Sequence, residues 1–252
     1  MIRIILHGCN GAMGRVVTEM AESREDVSIV AGVDITGEGR GDYPVYISFA
    51  DCKEEADVVV DFASAAAVDG LLDYCGRTGT PVVLCTTGLS EAQLQRVQKT
   101  AEGSAVLRSA NMSLGVNLLL KLVKEGAKAL APAGFDIEIV EKHHSRKLDA
   151  PSGTAIALAD AANSAMDGGY HYVYDRSTRR QKRDPMEIGI SAVRGGTIVG
   201  EHDVIFAGMD ELVTLSHTAF SRSIFAKGAL EAALFLAGKG PGLYSMMDVL
   251  GL

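Results

Sequence analysis

The sequence predicts an α/β fold in two parts: a parallel sheet flanked by helices, then a mixed or antiparallel sheet with one covered face. Three observations predict it. Short apolar runs rich in β-branched residues alternate with helical stretches across residues 2–108. Between residues 135 and 217 strand candidates follow one another with few helices between them. Residues 224–237 then return to helix. Strands that alternate with helices imply parallel pairing through right-handed crossovers.

Residues 2–6 form an apolar run that leads into a glycine turn, the pattern of a buried parallel strand. Residues 15–23 follow as a helix. Residues 27–33 are a second strand, ending at Asp34. Residues 57–62, with Val58, Val59 and Val60, are a third. Helix 68–77 leads to strand 81–85. Ser90 caps a helix to residue 101, with Glu91 in its first turn. Residues 104–108 close this half as a fifth strand. Residues 116–130 form a long amphipathic helix, stopped by Pro132 and Gly134. Residues 135–142 alternate, with Ile137 and Ile139 on one side and Asp136 and Glu138 on the other. That period belongs to a sheet with one covered face. Residues 154–165 are an Ala-rich helix. Residues 187–193, 202–207 and 211–217 are further strands. Helix 224–237 carries Lys227 and Glu231 four residues apart, where they can pair. Residues 42–46 and 168–184 read as loops. The second holds Arg176, Arg179, Arg180, Lys182 and Arg183. It reads as a solvated loop in preference to a phosphate or nucleic-acid patch.

Composition excludes several classes of function. In 252 residues, 32 acidic side chains face 24 Lys and Arg, a net charge of −8. Duplex binding is dominated by cations meeting phosphates, so a general nucleic-acid binder is not expected. Hydrophobic residues make up 47%, which rules out a disordered chain. No apolar run approaches the roughly 18 residues of a membrane span. The N-terminus lacks the stretched apolar region and cleavage site of a signal peptide. Cys9, Cys52, Cys75 and Cys85 form no CxxC pair and read as small buried hydrophobes in a reducing cytosol. The expectation is a cytoplasmic protein.

After the first strand comes Gly8-Cys9-Asn10-Gly11-Ala12-Met13-Gly14-Arg15. Glycines there allow a tight turn and let backbone N–H groups approach a pyrophosphate at a helix N-terminus. Gly14 would let the helix pack closely on the strand. Asp34, at the end of strand two, stands where a carboxylate accepts from a ribose 2′-hydroxyl. A carboxylate repels a 2′-phosphate, so NADH is favoured. Arg40 could supply a compensating cation, which leaves NADPH possible. Two further loops, Cys85-Thr86-Thr87-Gly88 and Ser109-Ala110-Asn111-Met112, follow strands four and five. Ligands of open α/β sheets bind at such carboxyl ends.

The densest chemistry runs from Glu138 to Ala155 and contains His143-His144-Ser145-Arg146-Lys147. Four of these five side chains can be cationic, a local reversal of sign in an acidic protein. Crowded like charges resist full protonation, which lowers His and Lys pKa values toward those useful for proton transfer. They also attract an anion. Pro151-Ser152-Gly153-Thr154 opens a helix whose free N–H groups can hold a carboxylate. Adjacent histidines on an extended chain point opposite ways and lack the spacing of metal chelators, so no metal site is expected. His7, His171, His202 and His217 are single and read as structural.

EKHHSRKLDAPSGTA resembles the signature of the 4-hydroxy-tetrahydrodipicolinate reductase family, also called dihydrodipicolinate reductase. The resemblance extends over nearly the whole chain, through Met13-Gly14-Arg15, Val60-Asp61-Phe62, the TTG and SANMS loops, Arg194 to His202, Ser221-Arg222 and Phe225 to Gly228. It implies a Rossmann-type dinucleotide-binding domain, residues 1–112 plus 222–252. Inserted in it is an α+β substrate-binding and oligomerisation domain with a mixed sheet, residues 113–221. It implies NAD(P)H-dependent reduction of a cyclic dicarboxylate in diaminopimelate and lysine biosynthesis, by a homotetramer. The hydride goes to C4 and a proton to C3. Family roles carried over make His143 a proton donor and acceptor and Lys147 a proton donor. His144, Ser152, Gly153 and Thr154 bind substrate. Gly8 to Met13, Asp34, Cys85 to Thr87 and Ser109 to Met112 lie against the cofactor. Two positions depart from the pattern: Cys85 stands where many relatives have Gly, and Met112 where many have Phe.

Two other functions fit part of the pattern. One is an aspartate-semialdehyde or homoserine dehydrogenase of related design; the former would want a catalytic Cys near a His, and no Cys lies in the His143 segment. A dinucleotide sensor without turnover would not need the HHSRK cluster.

Overall fold

The computed structural model describes residues 1–39 and 41–252. The chain divides into two compact units, residues 1–114 with 223–252, and residues 115–222.

The first unit is a seven-stranded parallel sheet. Its strands are β1 (Ile2–His7), β2 (Val27–Val33), β3 (Val45–Tyr46), β4 (Val58–Asp61), β5 (Val82–Leu84), β6 (Ala105–Arg108) and β12 (Gly242–Tyr244), in spatial order β12-β6-β5-β4-β1-β2-β3. Buried side chains alternate between the two faces, as the two-residue period of a strand requires. Ile4, Leu6, Val58, Val60, Val83 and Leu107 enter one core with helices α1 (Ala12–Glu22) and α6 (Ser223–Leu236). Ile5, Val59, Val82, Leu84 and Val106 enter the other with α2 (Val68–Thr78). Val97 and Ala101 of α3 (Glu91–Ala101) join that second core. A sheet covered on both faces explains why its strands read as unbroken apolar runs. Ser90 caps α3 through a reciprocal box, accepting from Gln93 N–H at 3.3 Å while Gln93 Oε1 accepts from Ser90 N–H at 3.0 Å.

The second unit is a five-stranded mixed sheet of β7 (Asp136–His143), β8 (His171–Val173), β9 (Glu187–Arg194), β10 (Gly200–Ala207) and β11 (Leu212–Ala219), in order β11-β10-β7-β9-β8. β7 pairs antiparallel with β10 and parallel with β9. One face, with Ile137, Ile139, Ile188, Ile190, Val204 and Phe206, packs against α4 (Leu114–Leu130) and α5 (Gly153–Ser164).

The structure adds what the sequence pattern lacked. β3 lies in the predicted loop 42–46, and β8 in the predicted loop 168–184. β12 and α7 (Met246–Leu250) were not anticipated. Each of these three strands is two or three residues long, too short to display a period. Helix α1 begins at Ala12 and not at Arg15, with Gly11 as its N-cap and Gly14 inside its first turn. The arginine-rich segment is not simply solvated. Arg176 pairs with Glu138 and Glu187 at 2.6 Å, and Arg183 with Asp136 at 2.7 Å and Glu138 at 3.0 Å. These cations neutralise buried Glu187 and its neighbours on β7.

Candidate active site

In the first unit the glycine turn follows β1. Gly8 has φ of +77°, a region that favours glycine, and an added Cβ would stand 2.8 Å from the Phe62 and Ala63 backbone. A Cβ on Gly14 would fall 2.2 Å from Gly8 O, so the helix can lie on the turn only as glycine. Gly11 occupies the N-cap of α1 without a side-chain cap, which leaves N–H groups of the first turn for an anion. Asp34 is half-buried beside the turn. Its Oδ2 accepts from Asn10 N–H at 3.1 Å and its Oδ1 from Thr36 N–H at 3.2 Å. The Asn10 amide donates to Thr36 Oγ1 and Glu38 O. Gly8, Asn10, Gly11, Asp34 and Ala63 are among the residues lining a cleft of about 390 Å³. Arg40, the suggested cation for a 2′-phosphate, lies outside the described residues.

The other predicted cofactor residues divide by side chain and backbone. Cys9 and Met112 are buried in the core of the α1–α6 face, so only their backbones are free to meet a ligand. Burial, followed by the charge of Asp34, pushes the Cys9 thiol up to about 11. Cys85 packs against the same core, and burial with Asp61 nearby raises its thiol well above the ordinary value. Met13 is partly buried there too, whereas Ala12, Thr87 and Ala110 are exposed. Thr86 is buried and donates its N–H to Asp61 Oδ2 at 3.3 Å. Ser109 Oγ donates to Asn111 O at 2.7 Å and holds that loop in a tight turn. A buried pair was missed here: His7 Nδ1 lies 2.8 Å from Asp61 Oδ1, on register-paired ends of β1 and β4.

The second unit holds the basic cluster at the end of the covered sheet face. Along β7, Ile137 and Ile139 point into the core, and the same alternation carries Glu141 and His143 inward after them. Glu141 is fully buried, with His143 at 9% exposure. Glu141 Oε2 lies 2.6 Å from His143 Nδ1. Arg194, at the end of β9, donates to both carboxylate oxygens at 2.7 Å. Oε1 also accepts from Ser152 N–H at 2.9 Å. Burial would raise the Glu141 pKa, but Arg194, His143 and Ser152 together hold it below the ordinary value. Ser152 is the N-cap of α5, its Oγ accepting from Ala155 N–H at 3.2 Å. The same hydroxyl lies 3.0 Å from His202 Nε2. His202 is pushed down to about 4, by burial first and then by His143. It is therefore neutral at pH 7, and in its contact with Ser152 either group can be the donor. The His143 and His202 rings meet edge to face, centroids 5.1 Å apart. Gly153 is exposed and Thr154 half-buried at the start of α5. His144, half-buried, is lowered by burial and then by Arg146, Arg222 and other cations. Lys147 Nζ rests 2.9 Å from the exposed Asp149 carboxylate.

The structure thus unites His143 with Ser152, and adds three residues to which the sequence reading gave no role in the site: Glu141, Arg194 and His202. The alternation of β7 could have found Glu141, two residues from His143 on one face. Arg194 and His202 come from separate strands, and pairing between strands is invisible in one sequence.

Comparison with known proteins agrees along the chain. Residues 2–112 match the family described as "Dihydrodipicolinate reductase, N-terminus", and residues 115–250 match "Dihydrodipicolinate reductase, C-terminus". The 4-hydroxy-tetrahydrodipicolinate reductase of Caldanaerobacter subterraneus subsp. tengcongensis is 54% identical over 249 residues, covering 99% of this chain and 98% of its own. That of Clostridium tetani is 46% identical over 246 residues, covering 98% and 96%. Among solved structures, dipicolinate-bound dihydrodipicolinate reductase from Paenisporosarcina sp. TG-14 superposes with a TM-score of 0.83 at 23% identity, covering 98% of both chains. With both halves of the chain matched end to end, this protein belongs to the dihydrodipicolinate reductase family.

Proposed function

We propose that the protein reduces 4-hydroxy-tetrahydrodipicolinate to tetrahydrodipicolinate with NADH, in the cytoplasmic synthesis of diaminopimelate and lysine. The single observation that carries the acid–base part is the buried Glu141–His143 pair at the head of a cationic segment and a helix N-terminus.

The glycine turn fits a dinucleotide: only hydrogen side chains at Gly8 and Gly14 leave the backbone room, and the uncapped α1 N-terminus suits a pyrophosphate. Gly8 to Met13, Asp34, Cys85 to Thr87 and Ser109 to Met112 would hold it. Asp34 would accept from a ribose hydroxyl and disfavour a 2′-phosphate, so NADPH binds more weakly. When bound, the reduced nicotinamide supplies a hydride to C4 of the ring. The remaining work is proton management. Loss of the 4-hydroxyl as water leaves a conjugated imine, and the arriving electron pair flows toward the ring nitrogen. Lys147, released from Asp149, stabilises that negative charge and donates a proton. His143 protonates C3 of the resulting enamine, and the ring nitrogen returns its proton to Lys147 as the C=N bond re-forms. His144 and the N–H groups of Gly153 and Thr154 hold substrate carboxylates. Ser152 sets the N-terminus of that helix.

Assembly as a homotetramer is part of the same reading. Val140, Val193 and Ile205 lie on the sheet face opposite α4 and α5, among Glu138, Lys142 and Asp203, a mixed apolar and charged surface on which a second copy would sit. The test of function is NADH oxidation with substrate generated from pyruvate and aspartate semialdehyde. Steady loss of absorbance at catalytic enzyme concentration supports it. NADH binding without oxidation overturns it in favour of a sensor.

A further inference from the structure

A wholly buried carboxylate is costly unless every oxygen lone pair is used. Glu141 uses four donors. Oε2 faces His143 Nδ1 and Arg194 Nη1, and Oε1 faces Ser152 N–H and Arg194 Nη2, all within 2.6–2.9 Å. An ionised carboxylate only accepts. His143 therefore carries a hydrogen on Nδ1 whether its ring is neutral or charged, and Nε2 is the atom left for chemistry. The opposite side of the ring is also constrained: a Cβ on Gly200 would stand 3.1 Å from His143 Nε2. Glycine at the start of β10 keeps space open beside the reactive nitrogen.

We propose that Glu141 is a positioning residue that fixes His143 in its Nδ1–H form with Nε2 presented for proton transfer. Arg194 keeps Glu141 ionised, and Gly200 leaves room at Nε2. This rests on the assignment of His143 as the proton donor. Because Glu141 also holds Ser152 N–H, one carboxylate ties the orientation of the donor to the N-terminus of α5.

Glu141→Gln tests the proposal. An amide offers one acceptor oxygen and one donor nitrogen where four donors now converge, so a donor must face a donor. If the oxygen stays with Ser152, the amide nitrogen faces His143, whose neutral ring then moves its hydrogen to Nε2. In protein labelled with ¹⁵N in its histidine rings, the His143 signals, assigned by their loss in His143→Ala, report this directly. The wild type is expected to show the Nδ1–H pattern and Glu141→Gln the Nε2–H pattern. Retention of Nδ1–H in the variant overturns the proposal. Turnover should fall about 10²–10⁴-fold, the range for a misplaced acid–base group, with little change in the substrate KM. That cost should vanish when the substitution is made in His143→Ala. An equal cost in both backgrounds means Glu141 does not act through His143, and also overturns it. If His143→Ala turns over like the wild type, the proton-donor assignment fails instead, while the ring signals still decide the orientation. Should Glu141→Gln not fold, Gly200→Ala takes its place. Its methyl should move the Nε2 resonance, keep Nδ1–H, and lower turnover about tenfold or more through misalignment. An unmoved resonance with full turnover overturns the proposal.

Discussion

Around the glycine turn the decisive atoms are missing ones, whereas around β7 they are buried charges. Gly8, Gly11 and Gly14 let the turn, the start of α1 and the backbone of residues 62–63 pack closely by having no side chains, and the uncapped α1 N-terminus offers backbone N–H groups. Glu141, His143, Arg194 and Ser152 do the reverse, filling a closed space with polar side chains that satisfy one another. The first region should tolerate loss of side-chain function and fail when atoms are added. The second should tolerate little change in hydrogen-bonding capacity, even at constant shape.

The sharpest way to break this contrast is to remove charge from the cluster. His143→Ala and Lys147→Ala should each lower turnover by about 10²–10⁴-fold, with NADH affinity by fluorescence titration unchanged. Unaltered turnover in both would remove them from the chemistry. Adding atoms to the turn comes next. Gly14→Val puts branched carbons where even a Cβ would be 2.2 Å from a backbone oxygen. We expect it to cost about 3 kcal/mol in urea unfolding, at the upper end for overpacking. A change near zero would mean that the helix start shifts freely.

A third measurement concerns pH. His202 in the folded chain is held at about 4, below the ordinary 6.5, by burial and by His143. Between those values the unfolded chain takes a proton that the folded one refuses. Its contribution to stability is therefore complete above pH 6.5 and is lost as pH falls toward 4. The loss is on the order of 3 kcal/mol, and His202→Gln should flatten it. Equal slopes for wild type and variant would show that His202 is not the buried base. The smallest effect is at Asp34. Asp34→Ala should weaken NADH more than NADPH by about tenfold in their ratio, the size of a charge-assisted hydrogen bond. An unchanged ratio would detach Asp34 from the ribose.

The same contrast explains what could be read before the fold was known. Strands β1, β4, β5 and β6 announced themselves because a sheet covered on both faces demands unbroken apolar runs. The glycine turn was legible for a similar reason, since close backbone approach leaves only one residue type. His143, Lys147 and the Ser152 cap were legible because they lie in one continuous segment. The alternation of β7 marks Glu141 as inward beside His143, but nothing in the sequence names its partners. Its role appears only when Arg194 arrives from β9 and Ser152 folds back to it. The arginines of residues 176–183 misled for the converse reason: their carboxylate partners lie on other strands. Short β3, β8 and β12 were hidden because two or three residues cannot show a period.

The placement of α6 and β12 bears on how the chain is made. Ala226, Ala229, Leu230, Ala233 and Leu236 complete the core that Ile4, Leu6, Val17 and Val60 begin, and β12 pairs with β6. A ribosome that has delivered residues 1–114 has therefore produced half of a hydrophobic layer and one unclosed sheet edge. Residues 115–222 emerge next with a core drawn wholly from themselves. Order of synthesis and order of completion are thus opposed: residues 115–222 can finish first, and β1 waits for α6 and β12.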